Sequence, residues 1–422
     1  MSPTHTAVAD ARARPIDVAP ILLVALALLV VAIVYGELAV ALAGLTLQIP
    51  YKTLARALAL TWVVLLVVPS RRLRSSYRPA PGDVPLALFA AAAALSVAHA
   101  GGHWGDVRNL LAGIGIAGLA RSLFAPAARR PLLLHYLGAA VLLVLARELV
   151  ANPGLLLPPR EAGRYLLVTA NPNPLGFLFA MTAPLFLAEA LVAAGGRRLV
   201  ATTYYGGAVL GTLLTFSRSA AFGLGLGTVL VLLTIAPRRR TLAIAVAVAG
   251  CVAFVLLQRP DTWLATRARG DADRARIMRT SLSLAREAPL LGIGFGINNL
   301  EERFPARYEQ LYGERLFRYH SANQLVDLLV GTGIVGTALA VAWVVGLLRA
   351  AGAALRAARG RERVRAAARL ATLVVIVIMS VNEPPLYAGK LVPVLFLVIA
   401  AVQLGAASTA SARTGDRARA SP

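Results

Sequence analysis

Residues 22–34, LLVALALLVVAIV, and 242–257, LAIAVAVAGCVAFVLL, carry no charge and are apolar around the whole of any helix they form. A strand of a membrane barrel alternates apolar and polar positions over about ten residues, so runs of this kind exclude a β-barrel. In hydrocarbon each backbone donor and acceptor needs a partner from the chain itself, and such a run supplies them as an α-helix. Similar runs recur along a 422-residue chain that is 58% hydrophobic and 15% charged. A crossing helix takes about 20 residues for a hydrocarbon core of about 30 Å. The pattern predicts an all-α, polytopic integral membrane protein with about 12 transmembrane helices. Their expected positions are 20–45, 53–69, 83–99, 105–124, 132–150, 174–193, 199–216, 219–236, 241–257, 323–349, 366–382 and 389–406.

The net charge of +23 would suit nucleic acid in a soluble protein, but here the basic residues stand in short clusters between the apolar spans. Alternate loops taken together hold 24 Lys and Arg on one side, against 6 in the short loops and margins of the other. The positive-inside rule then places both termini in the cytoplasm. Arg12 and Arg14 precede an apolar run too long for a cleaved leader, so the first span reads as a retained signal anchor. Cys251 is the single cysteine, so no intrachain disulfide can form. The basic stretch Arg349 to Arg369 reads as an anchor against anionic lipid.

Four regions follow. Residues 1–257 hold helices 1–9, 258–322 form a large periplasmic helical loop, 323–406 hold helices 10–12, and 407–422 form a disordered cytoplasmic tail. The loop is a polar island carrying eleven Arg and eight Asp or Glu between apolar spans, and it ends in Tyr319-His320-Ser321. An insertion of that length in a chain of short loops marks a functional segment.

Within it, Arg276, Arg279, Ser283 and Arg286 fall on one stripe if 272–287 is helical. Guanidiniums on one stripe repel unless an anion lies against them, and their fork matches the oxygens of a diphosphate. The competing reading is an exposed helix with a charged face. Asp271-Ala272-Asp273 has the look of a metal-binding Asp-X-Asp, but just before a helix the pair reads better as an N-cap. His320 can take a proton from a sugar hydroxyl near neutral pH. A histidine at a membrane boundary also serves as interfacial packing, which is how His99 and His103 are read.

Arg218 stands in the polar turn Thr215-Phe216-Ser217-Arg218-Ser219-Ala220, on the side where the charge rule disfavours Arg. Anion binding and snorkelling to headgroups are the two readings. Arg147 and Glu148 end the fifth span, where an unpaired charge at mid-depth costs about 2.5–3.5 kcal/mol, so both need partners. Asn382-Glu383-Pro384-Pro385 ends the eleventh span, with the acid free to orient a basic residue.

Several segments together resemble the O-antigen ligase and polymerase family of bacterial inner membranes. They are Asn171-Pro172-Asn173-Pro174-Leu175-Gly176, Phe216 to Ala220, Pro289-Leu290-Leu291-Gly292-Ile293-Gly294-Phe295-Gly296, and His320-Ser321 followed by Gly333-Ile334-Val335-Gly336. The resemblance implies a GT-C-like glycosyltransferase with no metal and no cofactor. It would take a glycan from undecaprenyl diphosphate and, in the ligase branch, pass it to lipid A-core on the periplasmic face. The family's catalytic positions map to His320, Arg218 and Arg276. Arg279, Arg286, Arg147, Asn173, Ser217 and Ser321 complete the expected diphosphate- and substrate-binding set. The chain departs from the family at Thr280, where an aromatic is common. A polymerase differs in its acceptor, and a transporter of lipid-linked anions is the alternative of another class.

Overall fold

The computed structural model describes residues 19–35, 37–42, 45–67, 79–151, 172–215, 217–234, 241, 260–301, 303–314, 316, 321, 323–381, 383–387 and 391–420. The helices in chain order are α1 Ala19–Tyr35, α2 Tyr51–Val67, α3 Asp83–Ala100, α4 Gly105–Phe124, α5 Arg130–Ala151, α6 Pro172–Val192 and α7 Gly195–Leu214. They continue with α8 Arg218–Leu232, α9 Pro260–Glu287, α10 Arg303–Tyr312, α11 Gln324–Ala357, α12 Gly360–Ser380 and α13 Val392–Ala420. A helix stands at each expected span except the ninth, 241–257, which beyond Thr241 lies outside the described residues. Among the described residues, five segments are long and apolar enough to cross a membrane: Asp83–Ala100, Gly105–Phe124, Ala127–Ala151, Asn173–Val192 and Gln324–Ala357. The apolar stretches Ala19–Ile33, Arg218–Leu232 and Val392–Ala406 are shorter.

Several expectations need correction. The first span does not run to 45, because α1 ends at Tyr35 and an antiparallel hairpin follows, β1 Glu37–Leu42 with β2 Leu45–Pro50. Gly36 is a poor helix former, and Leu45-Thr46-Leu47-Gln48-Ile49 alternates with the period of a strand. The hairpin is the departure from all-α structure among the described residues. At the other end of the chain, α13 continues through Ala420, so the tail expected to be disordered is helical. Its alanines extend a helix that is already nucleated, which removes the main cost of helix formation. Similarly, α9 begins at Pro260, a residue suited to the first helical position. Asp271 and Asp273 therefore lie inside a helix and do not cap one.

The helix α6 is the centre of the bundle. Leu178, Phe179, Ala180, Met181, Ala183 and Phe186 are all buried along it, and it packs against α7, α8 and α12. Small residues permit the close approaches: Gly211 of α7 sits against the ring of Phe179, and Gly138 of α5 against that of Tyr204. α6 and α12 run antiparallel and are joined by polar pairs at both ends. Asn173 Nδ2 donates to Glu383 Oε1 at one end, and Arg365 donates to both oxygens of Glu189 at the other. The sixteen-residue interval from Asn173 to Glu189 separates these pairs by about 24 Å along the helix.

The span expected at 323–349 is broken. Gly333 has φ 62° and ψ −167°, so α11 is two half-helices meeting at a kink. The backbone groups freed there are taken up by the segment after α9. Ile334 N donates to Pro289 O at 2.8 Å, and Ile293 N and Gly294 N donate to Val330 O and Gly331 O at 2.9 and 3.1 Å. Irregular backbone inside a bundle is tolerable when protein satisfies it in this way. Residues 288–300 thus form a wedge within the polar island. Ile293, Phe295 and Leu300 are buried, and Phe295 meets Phe89 and Tyr387 edge-on.

Candidate active site

The wedge can form only with glycine at particular points. A Cβ on Gly292 (φ +74°) would stand 2.4 Å from the Gly331 carbonyl carbon, and one on Gly333 (φ +62°) 2.3 Å from that of Leu290. Each glycine serves the backbone of the other segment. Farther along, Phe295 N donates to Ser96 Oγ at 3.1 Å and Ile297 N to Asp106 Oδ2 at 2.8 Å. Asn299 donates to the carbonyls of His103 and Phe295. His103 and Asp106 thereby hold the wedge onto the junction of α3 and α4.

At the same end, the motif turns of the sequence lie against one another. Gly176 of α6 packs directly on the turn before α8, since a Cβ there would meet Ala220 Cβ at 2.6 Å and Thr215 Oγ1 at 2.9 Å. Ser217 is buried and caps α8, its hydroxyl accepting from Ala220 N at 3.4 Å. Arg218 is the first residue of that helix and is exposed. A guanidinium beside a helix N-terminus adds to the positive end of the dipole and makes a place suited to an anion.

Asn173 is held by Glu383, which is itself buried. The acid at 383 thus has an amide among its partners, beyond the basic residue expected for it. After Glu383, the turn Pro385–Tyr387 lies against the start of α11. Leu386 N donates to Gln324 Oε1 at 2.9 Å, and Tyr387 OH donates to Asp327 O at 3.2 Å. Burial, reinforced by the Asp327 charge, pushes the Tyr387 phenol well up, so it stays neutral and remains a donor.

Ser321 belongs to the same cluster. Its N–H donates to Asp327 Oδ1 at 2.8 Å, and its hydroxyl exchanges hydrogen bonds with the Asn323 backbone. Asn323 in turn caps α11 through Leu325 N and Val326 N. His320, the residue before Ser321, lies outside the described residues. Asp327, buried to 1% exposure, was not singled out from sequence. An acidic residue four positions into an apolar span is the signal that could have found it.

The helical stripe of the island forms as expected: Arg276, Arg279 and Arg286 are exposed, while Ile277, Thr280, Ser281 and Leu284 are buried on the opposite face. Arg276 makes a 2.6 Å ion pair with Glu314, and its guanidinium lies 5.3 Å from the centre of the Tyr312 ring. Ser283 accepts from Arg307 at 3.0 Å, which ties α9 to α10. Arg147 is half-buried at the end of α5, beside the buried Glu148.

Space is distributed unevenly. Glu148, Leu175 and Thr215 help to line a cavity of only about 20 Å³ near the motif cluster. A cavity of about 710 Å³ opens at the other end of the bundle, around Glu189 and Arg365. The motif cluster, with little enclosed volume of its own, carries the exposed Arg218 at the start of α8. No curated protein matches the chain. Residues 205–341, from α7 through the Ser217 turn, the Arg276 helix and the wedge to the Gly333 break, match the family model described as O-antigen ligase.

Proposed function

We propose that the protein is an O-antigen ligase. It transfers a glycan from undecaprenyl diphosphate to lipid A-core oligosaccharide on the periplasmic face of a bacterial inner membrane, completing lipopolysaccharide. The observation that carries this reading is the family match over 205–341, a stretch that includes Arg218, Arg276, Arg279 and Ser321. The charge count supports a membrane of about 12 spans with both termini cytoplasmic and the motif end periplasmic.

The residues divide into a frame and a reacting set. Ser217, Asn173 and Ser321 already bond Ala220, Glu383 and Asp327, so they fix the turns. Arg218, Arg276 and Arg279 then face the diphosphate, with Arg286 and Arg147 at its margins. As the anomeric C–O bond breaks, negative charge grows on the leaving diphosphate, and fixed guanidiniums stabilise it without metal. His320 removes the proton of the acceptor hydroxyl as that oxygen attacks from the opposite face, so the anomeric configuration inverts. Donor binding competes with the Arg276–Glu314 ion pair for the same guanidinium.

The deciding experiment offers purified protein in liposomes a lipid-linked glycan together with both acceptors, lipid A-core and a second lipid-linked repeat. Glycosylated lipid A-core is the expected product, and its formation falls about 10²–10⁴-fold in His320→Ala. Elongated lipid-linked glycan as the main product would make the protein a polymerase. Normal turnover in His320→Ala would remove the base.

A further inference from the structure

The cavity of about 710 Å³ around Glu189 and Arg365 has no part in glycan transfer as proposed, yet its walls are specific. Arg130, Arg197, Arg359, Arg365 and Arg369 line it, against Glu189 and Glu362. The two acids are both engaged by Arg365, at 2.6 Å from Glu189 and 2.5 Å from Glu362. Arg369 reaches Glu362 only at 3.9 Å. Its side chain is 14% exposed, and its buried Nη1 has no hydrogen-bond partner. A buried guanidinium nitrogen without an acceptor is costly unless a ligand supplies one.

Two helices also begin here. The residues before α7 and α12 are Ala194 and Arg359, and neither places a side-chain acceptor on the helix's first N–H groups. Helix N-termini left open in this way favour an anion with several oxygens. The rest of the lining includes the apolar Leu134, Leu185, Phe186 and Leu404. Those residues lie on helices that continue into the apolar bundle, so the cavity presents cationic and acyl-like surfaces side by side.

We infer that this cavity binds an anionic phospholipid, its phosphate held by Arg369, Arg197, Arg359 and the start of α12, and its acyl chains along Leu134 and Phe186. The volume exceeds what a free phosphate ion fills, and the apolar lining would be wasted on one. The end concerned is the one with the excess of Lys and Arg, where a bilayer displays its anionic headgroups. Binding at this site is independent of the transfer reaction.

Native mass spectrometry of the full-length protein, released from micelles containing phosphatidylglycerol or phosphatidylcholine, tests it. One phosphatidylglycerol per chain should survive activation that strips phosphatidylcholine. Arg197→Gln with Arg359→Gln, both exposed residues, should weaken its retention about tenfold. Arg369→Gln should do the same, and if that variant fails to fold the exposed pair decides alone. Arg129→Gln with Arg198→Gln removes equal charge at the same end outside the cavity lining and should leave retention unchanged. Equal loss in this control would reduce the effect to general surface charge and overturn the site. Displacement of the lipid by millimolar inorganic phosphate would overturn the lipid in favour of a free anion.

Discussion

The two ends of the α6–α12 pair meet similar demands by opposite means. At the Asn173–Glu383 end, chain closes on chain: the wedge 288–300 fills the break in α11, backbone to backbone, and Gly292 and Gly333 have no room for a side chain. At the Glu189–Arg365 end, charged side chains surround open space, and the positive-φ glycines there, Gly195 and Gly360, have nothing within 4 Å of a Cβ. Under the proposed function, rigid backbone suits an end that holds groups in place while charge develops on a leaving diphosphate. Long side chains around a void suit an end that accommodates a variable lipid.

The sharpest way to break this contrast is at the glycines. Gly292→Ala and Gly333→Ala each combine a positive φ with backbone at 2.3–2.4 Å, so something in the wedge must move. We expect a loss of about 3 kcal/mol or more, which for a membrane protein reads as little folded material on size exclusion or a collapsed melting temperature. Gly195→Ala and Gly360→Ala meet only the φ penalty, about 1–2 kcal/mol. If all four variants melt alike, the ends do not differ as described.

The same contrast sets what sequence could show. The helices were legible because an apolar run of sufficient length has one outcome in a membrane, and the stripe Arg276–Arg279–Arg286 was legible because helical periodicity assigns faces. The wedge was not. Pro289 to Gly296 and Gly331 to Gly336 were visible as glycine-rich motifs, but their pairing is a long-range backbone contact that periodicity does not encode. Asp271 and Asp273 misled because an acidic pair before a helical pattern is a good cap, and a first-turn proline at 260 started the helix earlier. The cavity was hidden for another reason: Arg197 lies in the first turn of α7, Arg359 just before α12 and Arg369 within it, and each alone looks like one more topology charge.

The next largest effect is expected at Asn173–Glu383. Glu383 is buried, and hydrogen bonds to charged groups contribute about 1.5–3 kcal/mol. A double-mutant cycle with Asn173→Ala and Glu383→Ala, read by thermal melting at fixed pH, should give a coupling in that range. Additivity within about 0.5 kcal/mol would mean the amide and the acid act independently, and that Gly176 packing alone places the Ser217 turn.

The smallest effect belongs to the opposite pair. Arg365 meets Glu189 in a bidentate geometry, 2.6 and 3.1 Å, but the two side chains are 32% and 24% exposed, so water and salt reach them. Coupling between Arg365→Gln and Glu189→Gln should be about 1 kcal/mol or less. It should shrink further in 1 M salt, where the screening length is about 3 Å. The Asn173–Glu383 coupling has one neutral partner and is buried, so the same salt should leave it nearly unchanged. A Glu189–Arg365 coupling that resists salt would mean that the cavity excludes solvent, and then the acceptor for the buried Arg369 guanidinium would have to come from a bound anion and not from water.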